Sequence, residues 1–216
     1  MERQQLKTKA ARTFKTSDGW SSRGYIPHLD RSDVTQFITI RLADSMPKEV
    51  LAKLSKELEL LRSRNTDAEL ITYQRFKRIE SLLDAGYGSC TLTTNGVGQV
   101  VIDALNKLIA DGHQIIRWVI MPNHIHVLIK VCGDISLHSL VRFFKGRTGK
   151  LANKILGSTG RFWFPEFFDR YIRDAEHLSR VIRYIDQNPV RAGLVKAAED
   201  WPFGSLGYEI SRRTTK

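Results

Sequence analysis

The sequence predicts an α+β sandwich in which helices lie on a mostly antiparallel sheet. Three segments (35–42, 114–121 and 125–131) carry strand patterns of apolar and polar residues. Between and after them lie stretches whose apolar residues recur at the helical period. Read in order, the chain gives strand, helices, strand, strand, helix, strand, helix. Helices interleaved with a small sheet in this way suggest a sandwich of ferredoxin-like type. One sheet face is expected to be covered by helices and the other left available.

Each element has its own justification. In TQFITIRL (35–42), Gln36, Ile38, Ile40 and Leu42 face one way and Thr35, Phe37, Thr39 and Arg41 the other. Asp44-Ser45-Met46-Pro47 stops this strand and opens a helix, with proline near the first turn. Residues 48–85 read as an inserted, charged helical hairpin with leucines at 51, 54, 58 and 61 and a break near Asn65-Thr66-Asp67. No chemical motif is visible in it, which makes it a structural or contact element. Over 95–110, Val97, Val100, Val101, Ala104, Leu105, Leu108 and Ile109 follow the i, i+3, i+4, i+7 rule, and Asp111-Gly112 closes the helix. The next two strands join tightly around Pro122-Asn123. Residues 136–156 read as a helix despite Gly146 and Gly149, and RFWFPEFFDRYIRD (161–174) reads as extended. Asp174 caps a helix expected to end near Asn188, because Pro189 follows. Trp201-Pro202-Phe203 in the tail is expected to pack back on the domain.

These elements divide the chain into a basic irregular arm (1–34), a domain (35–208) carrying the 48–85 insertion, and a basic tail (209–216). The charge balance narrows the partner. Thirty-four Lys and Arg against 23 Asp and Glu give +11 over 216 residues, which points to a polyanion, nucleic acid first. Cys90 and Cys132 are too few and too far apart for a disulfide framework or a zinc knuckle, so a reduced, intracellular setting is expected. The basic N-terminus lacks the apolar stretch of a secretory signal, and no segment is long and apolar enough to span a membrane. There is no G-x-S-x-G elbow, H-E-x-x-H helix, P-loop or dinucleotide fingerprint.

The chemistry centres on MPNHIHVLIK (121–130). Strand alternation puts Ile125, Val127 and Ile129 on the buried face and His124, His126, Leu128 and Lys130 on the opposite one. The two imidazoles are then about 7 Å apart at Cα, close enough to converge on one cation. Of six tyrosines, Tyr25 and Tyr73 fall in the arm and hairpin, Tyr87 in a turn and Tyr208 in the tail, leaving Tyr171 and Tyr184 as candidate nucleophiles. On the 174–188 wheel, Leu178, Val181, Ile182 and Ile185 form the buried stripe. Tyr184 stands at its edge with His177 and Asn188, able to turn its hydroxyl toward a site while its ring stays packed. Between Arg142 and Arg183 lie ten basic residues against four acids, interleaved with Phe143, Phe144, Phe162 and Trp163. Cations for the backbone and rings for bases are what a single-strand groove needs. Arg142, Lys145, Arg147, Arg170, Arg173 and Trp163 are the DNA-binding candidates.

MPNHIHVLI, FFDRYIRD, YIDQNPVRAGLV and DWPFGSLG, in this order and spacing, resemble the REP-associated tyrosine transposases. These are relatives of the single-tyrosine insertion-sequence transposases in the His-hydrophobic-His (HUH) endonuclease superfamily. RGYIPHLD and ITIRLADSMP resemble longer members, so the likeness runs from about residue 23 to 208, without the hairpin. The resemblance implies a ferredoxin-like nuclease domain of a bacterial, cytoplasmic and nucleoid-associated protein acting on single-stranded DNA near a REP-like hairpin, as monomer or homodimer. It implies that His124 and His126 hold Mg²⁺ or Mn²⁺, which polarises the scissile phosphate. Tyr184 would attack to leave a 5′-phosphotyrosine bond and a free 3′-hydroxyl, and a later 3′-hydroxyl would reseal the strand. The C-terminal helix would thus carry the nucleophile. Asn188, one turn beyond Tyr184, is implied as the third metal ligand, with Gln187 as its alternative, and Lys145 is placed near the scissile phosphate. Two other readings are a non-catalytic hairpin-binding descendant and a metal-dependent hydrolase that uses water.

Overall fold

The computed structural model describes residues 14–15, 20–22, 27–29, 34–63, 68–94 and 96–208. The 65–67 break of the hairpin, most of the arm and the 209–216 tail therefore lie outside the described residues. The arm departs from the expected irregularity: Phe14–Lys15 (β1), Trp20–Ser22 (β2) and Pro27–Leu29 (β3) pair as an antiparallel meander. Then follow Thr35–Arg41 (β4), Lys48–Ser63 (α1), Ala68–Asp84 (α2) and Val97–Ala110 (α3). The chain continues with Gln114–Ile120 (β5), His124–Lys130 (β6), Leu137–Leu156 (α4), Phe168–Tyr171 (β7) and Ala175–Arg191 (α5).

The main sheet has the order β5-β6-β4-β7, with every neighbouring pair antiparallel. Together with α3 and α4 this is two interlocked split β-α-β units, the ferredoxin-like sandwich. On one face Ile38, Ile40, Ile125, Val127 and Ile129 pack with Val101, Leu105, Leu140 and Phe144 from α3 and α4. The opposite face is not left available. Phe37, Val119, Met121 and Leu128 form a second buried cluster with Ile185 of α5, and Phe76 of α2 packs against it. These four apolar residues on the supposed open face could be hidden from water only by further helices, which the insertion and α5 supply. As a result, His124 to Ile129 are buried without alternation.

Helix ends follow local chemistry. Ser136 accepts from the Ser139 amide at the start of α4, and Asp174 accepts from the His177 amide at the start of α5. Pro189 does not stop α5, which runs on to Arg191. The proline stands in the final turn, so the one ladder bond that its missing N–H forgoes, to the Ile185 carbonyl, falls beside the helix end rather than in its middle. Ala192 N donates to the Asn188 carbonyl and Leu194 N to the Pro189 carbonyl, closing that turn. Among the described residues no helix is long and apolar enough to cross a membrane.

The tail packs back as expected. Ile120 N donates to the Phe203 carbonyl, Trp201 Nε1 to the Ile120 carbonyl, and Trp118 N to Ser205 Oγ. A β-carbon at Gly98 of α3 would lie 2.5 Å from the Phe203 ring and 3.0 Å from the Leu92 carbonyl oxygen. Gly98→Leu is therefore expected to lever the tail off α3 at a cost of about 1–3 kcal/mol. Thermal unfolding should show it as a Tm lower by several degrees, and an unchanged Tm would refute the close packing.

Candidate active site

The register of the sheet builds the centre of the site. β4 pairs with β6 so that Thr39 stands opposite His126 and Arg41 opposite His124. The two imidazoles turn their Nε2 atoms toward each other at 3.1 Å. Glu80 of α2 brings Oε2 to 3.0 Å from His126 Nε2, and the Tyr184 hydroxyl on α5 donates to that same oxygen. One ligand atom from each of Glu80, His124 and His126 lies within 4.8 Å of the others, and all three residues are buried. The Tyr184 ring is fixed edge-on to His126 (5.4 Å between centroids) and to Phe37 (5.9 Å).

Hydrogen bonds on the far side of each imidazole set its orientation. Asn123 Nδ2 donates to the carbonyls of Leu83 (3.1 Å) and Tyr87 (3.0 Å), so its Oδ1 must point the other way. That oxygen lies 2.8 Å from His124 Nδ1. An amide oxygen can only accept, so Nδ1 carries the proton and Nε2 keeps a lone pair for a metal. His126 Nδ1 is in turn 2.9 Å from Thr39 Oγ1.

The electrostatics favour a neutral imidazole beside an ionised carboxylate. Burial, with His126 beside it, pushes His124 down to about 3. Burial pushes the Glu80 carboxyl up, yet the His126 charge and hydrogen bond, with His124 and Tyr184 added, outweigh this and leave it lowered. Burial raises the Tyr184 phenol, and the Glu80 charge and hydrogen bond raise it further. The hydroxyl is therefore held protonated, aimed at the carboxylate.

The donor set fits a divalent cation. Ligands at right angles, each about 2.1 Å from a metal, stand about 3 Å apart, which is the spacing of the Nε2–Nε2 and Nε2–Oε2 pairs. Glu80 Oε1 is buried with no hydrogen-bond partner. Asn188 is buried, and neither its Oδ1 nor its Nδ2 has a partner. Buried polar atoms of this kind are uncommon in native structures and call for a partner. Gln187 is exposed on the solvent side of α5.

The other expected site residues divide between the two layers. Arg142, Lys145 and Arg147 lie on α4, on the far side of the sheet from α5. Arg142 and Arg147 are exposed, while Lys145 donates to the Phe164 and Pro165 carbonyls. Burial, with Arg161 and Arg41 nearby, lowers Lys145 to about 8. Arg170 on β7 and the exposed Arg173 lie on the Tyr184 side. Trp163 is not a free stacking surface: it is 4% exposed in the α4 core, and its indole donates to Thr148 Oγ1. Its ring was the largest in an apolar run, and burial claimed it. Tyr171, the other candidate nucleophile, lies on β7 opposite Gln36 of β4.

Glu80, Asn123 and Thr39 are site residues that the sequence reading passed over. Glu80 did leave a signal. It stands on the stripe of α2 that runs through Phe76 and Leu83, a charge where the helical period predicts burial. Asn123 read only as a turn residue. Replacing it with alanine is expected to free the His124 ring and raise the Mn²⁺ dissociation constant about 10- to 100-fold. Calorimetric titration measures this, alongside thermal unfolding to confirm the fold; unaltered affinity would remove Asn123 from the site.

Comparison with known proteins agrees with this geometry. Residues 91–188 match the family model described as "Transposase IS200 like". The chain is 28% identical over 102 residues to the REP-associated tyrosine transposase of Escherichia coli K12, a match covering 46% of this chain and 58% of that protein. It is 27% identical over 101 residues to a putative REP-associated tyrosine transposase of Haemophilus influenzae, covering 42% and 57%. The match thus spans less than two thirds of each relative's length. A solved structure of a REP-associated tyrosine transposase bound to a REP hairpin shares the fold, with TM-score 0.53, 21% identity, and coverage of 88% of this chain and 86% of that one. Residues 91–188 thus carry an IS200-like transposase domain, and the chain is similar to the REP-associated tyrosine transposases.

Proposed function

We propose that the protein cleaves and rejoins single-stranded DNA beside a hairpin, through a covalent bond between Tyr184 and a 5′-phosphate. The observation that carries this reading is that the Tyr184 hydroxyl and His126 meet on one oxygen of the buried Glu80 carboxylate, with His124 Nε2 3.1 Å from His126 Nε2. A hydroxyl and a cluster of metal donors gathered in this way form a reactive centre with no structural purpose that apolar residues would not serve better.

His124, His126 and Glu80 are the donors for Mg²⁺ or Mn²⁺, and Asn188, one turn after Tyr184 and with both amide atoms unpartnered, is the candidate to complete the set. The cation, when bound, supplies Lewis acidity to the scissile phosphate. The protein's own groups do the rest. Packing against Phe37 and His126 fixes the approach of the tyrosine oxygen. Glu80 receives the hydroxyl proton as the oxygen–phosphorus bond forms, and a proton is gained by the departing 3′-oxygen. Reversal of these steps with an incoming 3′-hydroxyl reseals the strand.

Labelled single-stranded hairpins incubated with Mg²⁺ or Mn²⁺ and resolved on a denaturing protein gel test the reading. A covalent adduct is expected, falling roughly a thousandfold or more in Tyr184→Phe and His124→Ala and persisting in Tyr171→Phe. Cleavage without an adduct would mean a water nucleophile, and binding unaffected by both substitutions would mean a non-catalytic hairpin binder. Adduct formation in Tyr184→Phe but not in Tyr171→Phe would reverse the nucleophile assignment.

The net charge of +11 adds a binding expectation. The logarithm of affinity should fall linearly with the logarithm of salt concentration, with a slope reporting several neutralised phosphates. Affinity that is flat from low to physiological salt would contradict it.

A further inference from the structure

The inserted helix does more than deliver Glu80. Tyr73, Phe76, Lys77, Glu80, Ser81 and Asp84 recur at i, i+3, i+4, i+7, i+8 and i+11 along α2, so they form one face of that helix. This face is one wall of a pocket of about 530 Å³. Opposite it stand Tyr184 and Arg191 of α5, with Phe168 and Arg170 of β7 beside them. The pocket therefore opens directly beside the nucleophile. Its α2 wall lies outside residues 91–188, the part that matches the transposase family model.

The lining selects the ligand. Phe76 and Phe168 stack with centroids 4.5 Å apart, giving a flat aromatic interior. Tyr73 is 42% exposed at the rim, with the Lys77 ammonium over its ring. The two carboxylates are already engaged, Glu80 with His126 and Tyr184, and Asp84 with Arg191 at 3.7 Å. Lys77 and Arg170 leave the mouth cationic. Aromatic surfaces behind a cationic edge, in a space of this size, match a planar heterocycle attached to a phosphate. We propose that this pocket receives one nucleotide base, swung out of the strand next to the phosphate that Tyr184 attacks. The insertion would then be the element that selects which nucleotide adjoins the cut. This inference rests on the proposed reaction at Tyr184.

The test uses the full chain carrying Tyr184→Phe, which keeps the ring and stops the chemistry. Hairpin oligonucleotides with a single 2-aminopurine, moved through each unpaired position flanking the cleavage site, report stacking by loss of emission. One position is expected to quench on binding. Filling the pocket with Ser81→Trp should abolish that quench and weaken binding roughly tenfold or more. Tyr73→Ala, a change at an exposed residue that leaves the fold alone, should weaken binding about fivefold or more. Arg142→Ala, on the other layer, should retain the quench. If the unmutated chain forms the tyrosine adduct but no position quenches, or the quench survives Ser81→Trp, the base pocket is wrong and the reaction stands. If no adduct forms at all, both fall together.

Discussion

A carboxylate buried between two imidazoles and a phenol is the constraint around which this structure is organised. Glu80 is 4% exposed, and an isolated anion at such depth is costly. The Tyr184 hydroxyl and His126 offset part of that cost, and both contact a single oxygen, Oε2. The other oxygen has no donor. With both Asn188 amide atoms likewise unpartnered, the arrangement suits an additional electropositive partner. Removing the carboxylate would leave the phenol without its acceptor and His126 Nε2 without its oxygen contact, so the elements that meet here depend on one side chain.

For Glu80 to serve this way, α2 must be held in register with the sheet, and the turn before β6 does so. Asn123 binds the carbonyls of Leu83 and Tyr87 with its amide nitrogen and His124 with its oxygen. The same residue therefore anchors the end of the insertion and selects the tautomer of the first histidine. A second clamp lies just downstream. Ser89 N donates to Asp44 Oδ2, and a β-carbon at Gly88, whose φ is +89°, would sit 2.5 Å from the Asp44 carbonyl oxygen. Only glycine allows the two chain segments to approach this closely. The insertion thus interrupts the sequence between β4 and α3 while its last turn is locked into the core.

These couplings explain what could be read from the sequence. Strand and helix positions along the chain were legible because period-two and period-3.6 patterns report burial locally, as in Val97 to Ile109 and Ile125 to Ile129. The covered second face was misread because His124, His126 and Lys130 made it look polar, although Phe37, Val119, Met121 and Leu128 share it. Helix α5 passes Pro189 because the one bond it forgoes falls in the last turn, which the Ala192 and Leu194 amides close. The histidine pair and Tyr184 stood out as local motifs. Glu80 did not, since its partner Tyr184 lies 104 residues away and no spacing rule reaches that far. Trp163 was misplaced for the converse reason, because composition does not distinguish a ring that stacks on bases from one that fills a core.

The insertion also alters the chemistry of the donor set. Two imidazoles and a neutral amide would leave the full charge of a divalent ion in a low-dielectric pocket and would suit the borderline metals that imidazole prefers. Exchanging one neutral donor for Glu80, or adding it to them, would bring a hard oxygen and a negative charge to a cation held there. Both changes move the site toward Mg²⁺ and Mn²⁺, the ions that tolerate mixed ligands and keep positions open for phosphate oxygens. The same negative charge works against ionisation of Tyr184, whose phenol is already raised by burial and by Glu80 itself. A cation held by Glu80, His124 and His126 would offset that charge and ease loss of the hydroxyl proton. In the proposed reaction that proton passes to Glu80, to which the hydroxyl already donates. In the proposed reaction the buried carboxylate would keep Tyr184 protonated until attack and also serve as a ligand, which accounts for a charged residue where packing alone would ask for leucine.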